Sequence, residues 1–271
     1  VQMKQRVWLI HMVMNLKKKT NNKVAIVTGA GSGIGKAVAL GLAREGVDTY
    51  LAGRKKHTLL TKKQISIKEN NEGICHIIKC DVSKETDVRK MFMLIQKHYG
   101  RLDLLFNNAG IGLQANTIDK IKFKDWKKVI DTNINGMFLC AKYAFDLMKR
   151  QNPQGGRIIN NGSVSSMTPR PGSIAYTSTK HAITGMTKTI SLDGRPFKIV
   201  CSQIDIGNAE TPMTQRMKEG VPQATGKTAI EPVFDANYIA DAISSICKMP
   251  LNTNVLNMTI MANDMPFVGR G

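Results

Sequence analysis

The sequence predicts an α/β protein: one domain built on a doubly wound parallel sheet of about seven strands, with helices on both faces. Two observations carry this. Short apolar runs of four to seven residues alternate strictly with helical patterns along the 271 residues. Apolar runs of that kind are strands buried on both faces, as in a parallel sheet covered by helices. A glycine-rich turn, Gly29 to Gly35, joins the first apolar run to the first helical pattern.

The elements follow in order. Residues 23–28 (KVAIVT) form the first strand, and a helix runs from Gly33 to Glu45. The second strand covers 47–53, with Arg54 just past its end. A polar, Lys-rich helix covers about 56–70. Ile74 to Lys79 is the third strand, ending at Cys80 and Asp81. Ser83 is the expected N-cap of a helix to about His98, because a short hydroxyl side chain can accept from the first free N–H groups. Leu102 to Phe106 is the fourth strand, closed by Asn107-Asn108-Ala109-Gly110. A long helix spans about Lys124 to Arg150, with a kink expected near Asn133 to Gly136. Residues 157–161 form the fifth strand, Ile174 to Leu192 a helix, and Lys198 to Ser202 the sixth strand. A loop with short helices fills 205–230, a helix covers Asp235 to Lys248, and Asn254 to Ile260 supplies a seventh strand. No linker or internal repeat interrupts the series, so residues 23–271 read as one domain.

Charge and composition exclude several functions. Lys and Arg number 39 against 20 acids, a formal net charge of +19. Residues 1–22 hold Lys4, Arg6, Lys17, Lys18 and Lys19 and no acid, and read as a flexible basic leader. A second patch, Lys120, Lys122, Lys124, Lys127 and Lys128, is interleaved with Asp119 and Asp125 and reads as a solvated helix face. Phe123 and Trp126, three apart, would form its buried side. No zinc-finger spacing and no basic region leading into heptads supports a nucleic-acid partner. No apolar run reaches the roughly 18 residues of a membrane span. The five cysteines are scattered without a C-x-x-C pair, which points to small buried hydrophobes in a reducing compartment. That fits the cytoplasm, and the acid-free leader leaves a plastid or other organelle open. The histidines form no ligand-like cluster, so no metal is expected.

Two short stretches carry chemistry. The turn TGAGSGIG places Gly29, Gly33 and Gly35 where a strand feeds a helix N-terminus, whose free N–H groups and positive partial charge suit a pyrophosphate. Tyr176 and Lys180 lie one helical turn apart and share a face. A free phenol is a poor base at neutral pH, and an ammonium beside it stabilises the phenolate.

Together these motifs resemble the short-chain dehydrogenase/reductase family, from Lys23 to about Ile260. The glycine turn is similar to the family's T-G-x-x-x-G-x-G, and residues 107–110 to its N-N-A-G. Asn133, Ser163, Tyr176 and Lys180 match the family's catalytic asparagine, serine, tyrosine and lysine in order and spacing. The stretches LDGRPFKIVCSQIDIGNAETPMT and MPFVGRG resemble a plant-type branch often described as short-chain or 3-oxoacyl reductases.

The resemblance implies a Rossmann fold and hydride transfer between a nicotinamide cofactor and a carbonyl or secondary alcohol. Tyr176 would be general acid or base, and Ser163 would hydrogen-bond the carbonyl oxygen. Lys180 would also bind the nicotinamide ribose, and Asn133 would hold a relay water. Gly29, Ser32, Gly33, Ile34 and Gly35 would cradle the cofactor. Asp81 and Val82 would contact adenine, Asn108, Ala109 and Gly110 would back the adenosine, and Gly207, Asn208 and Thr211 would shape the nicotinamide pocket. Gly53 stands where an acid would select NAD(H), and Arg54 follows it, which favours NADP(H) with NAD(H) possible. One departure is Ile206-Gly207 where the family has Pro-Gly. Residues 211–227 are the expected substrate lid, with Met213, Met217 and Val221 as apolar contacts. Expected partners are a small carbonyl or alcohol, with an acyl thioester as one option, and further copies of the chain in a homodimer or homotetramer. The competing reading is a catalytically idle dinucleotide-fold protein acting as a basic interaction module.

Overall fold

In the computed structural model, residues 22–69 and 71–268 are described. The expected leader, apart from Asn22, lies outside them. Strands β1 (Val24–Thr28), β2 (Asp48–Gly53), β3 (Cys75–Lys79), β4 (Leu104–Asn107), β5 (Gly156–Asn161) and β6 (Ile199–Ile206) all join one sheet. Two short strands, β7 (Val221–Pro222) and β8 (Thr228–Ala229), pair antiparallel outside it, and β9 (Asn257–Ile260) completes it. The order is β3-β2-β1-β4-β5-β6-β9, with every pairing parallel.

The helices are α1 (Gly33–Arg44), α2 (Lys56–Lys68), α3 (Glu85–Tyr99), α4 (Phe123–Ile130), α5 (Gly136–Arg150), α6 (Ile174–Asp193), α7 (Gln215–Glu219) and α8 (Asn237–Lys248). Alternate residues of the central strands feed two cores. Ala25 and Val27 of β1 pack with Val38 and Leu42 of α1, Leu59 of α2 and Ile239 and Ile243 of α8. Val24 and Ile26 pack on the opposite face with Met91 and Ile95 of α3 and Ala144 and Met148 of α5. The strand order reverses at β1 and β4, and the crevice beyond their carboxyl ends is where such sheets bind ligands.

Four local readings change. The helix expected from Ser83 begins at Glu85 with Lys84 as N-cap. Ser83 instead gives both its N–H and its hydroxyl to Asp81 Oδ1, at 3.2 and 2.7 Å, so a side-chain turn outcompetes the cap. Phe123 is not buried but 77% exposed, because it opens α4 beyond the packed part of that helix, where Val129 is the buried residue. The kink expected near 133–136 is a π turn, Asp131–Asn135, joining α4 to α5. Strand β6 runs to Ile206 rather than stopping at Ser202. With isoleucine where proline would stand, β6 pairs with β9 to its last residue, and the Gly207 N–H donates to Ile260 O at 2.8 Å.

The cysteines are free, four of them buried. Burial pushes the thiols of Cys80 and Cys201 up to about 12 and that of Cys247 to about 11. Among the described residues no group of His, Cys, Asp or Glu is placed to hold a metal, and no helix is long and apolar enough to cross a membrane.

At the opposite end of the sheet from the crevice, the rings of Tyr50 and His76 stack at 4.7 Å. His76 Nε2 pairs with Tyr99 Oη at 2.8 Å. Burial lowers the His76 pKa from 6.5 to about 4. A base depressed in the folded state lends stability that is complete above its unfolded pKa and drains as pH falls toward the folded one. Urea unfolding is therefore expected to lose about 2–3 kcal/mol between pH 6.5 and 4 from this residue. His76→Phe should keep the stack and flatten that part of the profile; an unchanged slope would remove His76 as its source.

Candidate functional site

The glycine turn is dictated by contact. Gly29 and Gly33 have φ of 68° and 52°, the left-handed region that side chains disfavour. A Cβ on Gly35 would lie 2.4 Å from the Gly29 carbonyl oxygen. Ser32, the N-cap of α1, is extended, and its side chain makes no capping bond. The first N–H groups of α1 thus open, uncapped by it, onto a cleft of about 560 Å³. An uncapped helix N-terminus behind a turn with no room for side chains fits the phosphates of a dinucleotide.

The cleft is lined by Gly29, Ser32, Gly33, Ile34, Gly35, Arg54, Asp81, Val82, Asn108, Ala109, Gly110, Tyr176, Lys180, Gly207 and Thr211. Three expected site residues stand elsewhere: Ser163, Asn208 and Asn133. Ser163 and Asn208 line an adjoining cavity instead, and the Asn208 amide is committed to Glu231 and Pro232 O. Asn133 lines neither cavity. Its side chain accepts from the Ile111 N–H at 2.9 Å and donates to Ile111 O and Thr179 Oγ1. Asn133 thereby ties the loop after β4 to α6, and its amide is spent on that.

A polar chain crosses the crevice. Thr28 Oγ1 accepts from the N–H groups of Asn108 and Ala109, each at 2.9 Å. Asn108 donates to Thr28 O, and Asn161 donates to Asn108 Oδ1 at 2.7 Å. The Asn161 carbonyl accepts from Lys180 Nζ at 2.6 Å. That bond fixes the ammonium 5.3 Å from the Tyr176 ring centroid and leaves it two further donors. His181, next in α6, bonds back to Thr177 O on an exposed face.

Ser163 opens a short 3₁₀ turn, and its Oγ accepts from the Ser165 N–H at 3.1 Å, leaving its hydroxyl proton to donate. Its own N–H donates to Asp205 Oδ1 at 2.9 Å. Asp205 is buried and also accepts from Ser166 Oγ, Gln203 Nε2 and Asn257 Nδ2. Asp205 was not among the expected site residues. The signal for it was the polar alternation Gln203–Asp205 inside an otherwise apolar strand.

The second cavity, about 650 Å³, shares Tyr176 with the cleft and adds Ser163. Met213, Met217 of α7 and Val221 of β7, from the segment expected to be a lid, also line it. The lid is pinned by a buried ion pair between Arg170 and Glu231. Arg170 also donates to Asn208 Oδ1, while Glu231 accepts from Asn208 and from Gln223 at 2.8 and 2.9 Å. Burial opposes ionisation of Glu231, yet the bonds from Gln223, Asn208 and Arg170 and the Arg170 charge hold its carboxyl below the usual range.

The family model described as short chain dehydrogenase matches residues 23–222. A 3β-hydroxysteroid dehydrogenase of Mediterraneibacter gnavus is 36% identical over 211 residues, covering 78% of this chain and 75% of that protein. A farnesol dehydrogenase of Aedes aegypti is 36% identical over 241 residues, covering 88% and 95%. The crystal structure of an actinorhodin polyketide ketoreductase variant with NADPH aligns with a TM-score of 0.79 at 22% identity, covering 89% of this chain and 96% of that one; this likeness bears on the fold. A parallel sheet in the order of a Rossmann fold, a glycine cradle at its switch point and these relatives lead to one assignment: the chain is an oxidoreductase of the short-chain dehydrogenase/reductase family.

Proposed function

We propose that this oxidoreductase interconverts a carbonyl and a secondary alcohol, with NADP(H) as its preferred cofactor and Tyr176, Ser163 and Lys180 as its reacting groups. The observation that carries the reading is Tyr176, which lines both the dinucleotide cleft and the lid-side cavity. A bound nicotinamide supplies the hydride. In reduction, Tyr176 Oη gives its proton to the carbonyl oxygen, and the Lys180 ammonium stabilises the charge left on the phenolate. Ser163 donates to the same oxygen as negative charge develops there. Lys180 retains donors for the ribose. A water relay at Asn133 would use the main chain of the π turn, since the side chain is committed. A 3-oxoacyl thioester is one concrete substrate. The free, buried thiols suit the cytoplasm or a reducing organelle. A homodimer or homotetramer would pair α4, α5 and α6, where Phe138 and Leu192 are exposed.

Arg54 supports the cofactor preference. It is exposed at the cleft rim beside Lys55, and no acid pairs with it among the described residues. A planar guanidinium suits a ribose phosphate. NADPH and NADH oxidation, with dissociation constants for each, against a panel of ketones and aldehydes tests the whole reading. NADPH should bind more tightly than NADH. Arg54→Ser should weaken NADPH about 10–100-fold and leave NADH within about threefold. Tighter binding of NADH by the parent protein would refute the preference.

A further inference from the structure

The lid-side cavity has a charge pattern that narrows its ligand. Leu113, Ile121, Val164, Met213, Met217 and Val221 give it an apolar wall. No Asp, Glu, Lys or His lines it among the described residues; its charged lining residues are Arg170 and Arg216. Arg170 is neutralised by Glu231 and bonded to Asn208, so it adds no net charge. Arg216 is different. It is exposed on α7 and has no ion pair or side-chain hydrogen bond among the described residues. Its neighbour Lys218 is already paired, with Glu210.

The lid holds Arg216 in place. Met217, the next residue, is buried, its carbonyl accepts from the Glu231 N–H at 2.9 Å, and its sulfur meets Arg170 Nη1 at 3.5 Å. The latch that cancels one arginine therefore docks the helix that presents the other. An apolar cavity with one uncompensated cation at its wall favours an apolar molecule with one anionic end. A neutral molecule of the same size would gain nothing from that exposed guanidinium, whereas an anionic end meets a complementary charge. The volume, about 650 Å³, lies within the usual range for ligand pockets.

We propose that this cavity takes a carbonyl compound with an apolar body and a terminal carboxylate or phosphate, and that Arg216 reads that anion. The proposal rests on the carbonyl-reduction reading above. Its test is NADPH-linked reduction of 4-oxopentanoate, 7-oxooctanoate and 9-oxodecanoate, each beside its methyl ester, with 9-oxodecyl phosphate as the phosphate arm. At least one acid or the phosphate should exceed its neutral counterpart about tenfold in kcat/KM, mainly through KM. Arg216→Gln should bring that ratio close to one, and Arg216→Lys should restore part of it. Equal rates for acid and ester in the parent protein, or equal losses for both in Arg216→Gln, would overturn the proposal. Calorimetric binding of the same pairs to NADP-loaded Tyr176→Phe protein separates the two readings. Tighter binding of the acid without any turnover by the parent protein would keep Arg216 as the reader and sink carbonyl reduction. Turnover without preference would do the reverse.

Discussion

Tyr176→Phe is expected to lower kcat for carbonyl reduction by about 10²–10⁴-fold, the usual contribution of a positioned acid or base. The substitution removes one hydroxyl and keeps the ring that Lys180 approaches at 5.3 Å. Dinucleotide binding should survive to within a few-fold, because the glycine cradle and Arg54 are untouched. Steady-state rates with NADPH and a reactive ketone, beside the dissociation constant for NADPH, read the two effects separately. Turnover near that of the parent would exclude Tyr176 as the proton donor. A parallel loss of cofactor binding would place the defect in the cleft rather than in the proton transfer.

The second large effect is expected at the latch. Glu231 has no exposed side-chain surface and Arg170 has 14%. Removing one member of a buried pair strands the other charge, at a cost of about 3–5 kcal/mol. Arg170→Met and Glu231→Leu should each destabilise the protein by that order in urea unfolding. The double variant should recover part of the loss, because an apolar pair strands no charge while Asn208 and Gln223 lose these partners. Acid should weaken the same element. A carboxyl held below its unfolded pKa contributes stability that is present above that value and is lost as pH falls through the folded one. Single variants within about 0.5 kcal/mol of the parent would show that the pair is not what pins the lid.

The two halves of the site differ in how visible they were in sequence. The sheet was legible because its strands are aliphatic runs, and the cradle because its glycines precede a helix. Ser163, Tyr176 and Lys180 were legible because their order and spacing match those of the family they resemble. The end of β6 was hidden because Gln203 and Asp205 look like loop residues; Gln203 donates to Thr184 and Asp205, and Asp205 accepts also from Ser163, Ser166 and Asn257. The Ser83 cap failed because Asp81, two residues earlier, takes the serine for itself. Asn208 follows Gly207 in sequence, yet its side-chain partners Arg170 and Glu231 are distant in the chain. Arg170 and Glu231 meet across 61 residues, both from irregular segments, where no periodicity could foretell a contact.

Asp205 sets how far this enzyme could be shortened. Residues lining the two cavities end at Pro222, the same point at which the family match ends. Yet the carboxylate that holds the Ser163 N–H is steadied by Asn257, and a Cβ on Gly207 would collide with Met261 and Met265. A chain cut after the lid would lose the Glu231 latch, the α8 side chains of the first core and the brace beneath Ser163. The support of the site therefore reaches past Pro222, the last residue lining either cavity, as far as β9, where Asn257 steadies Asp205.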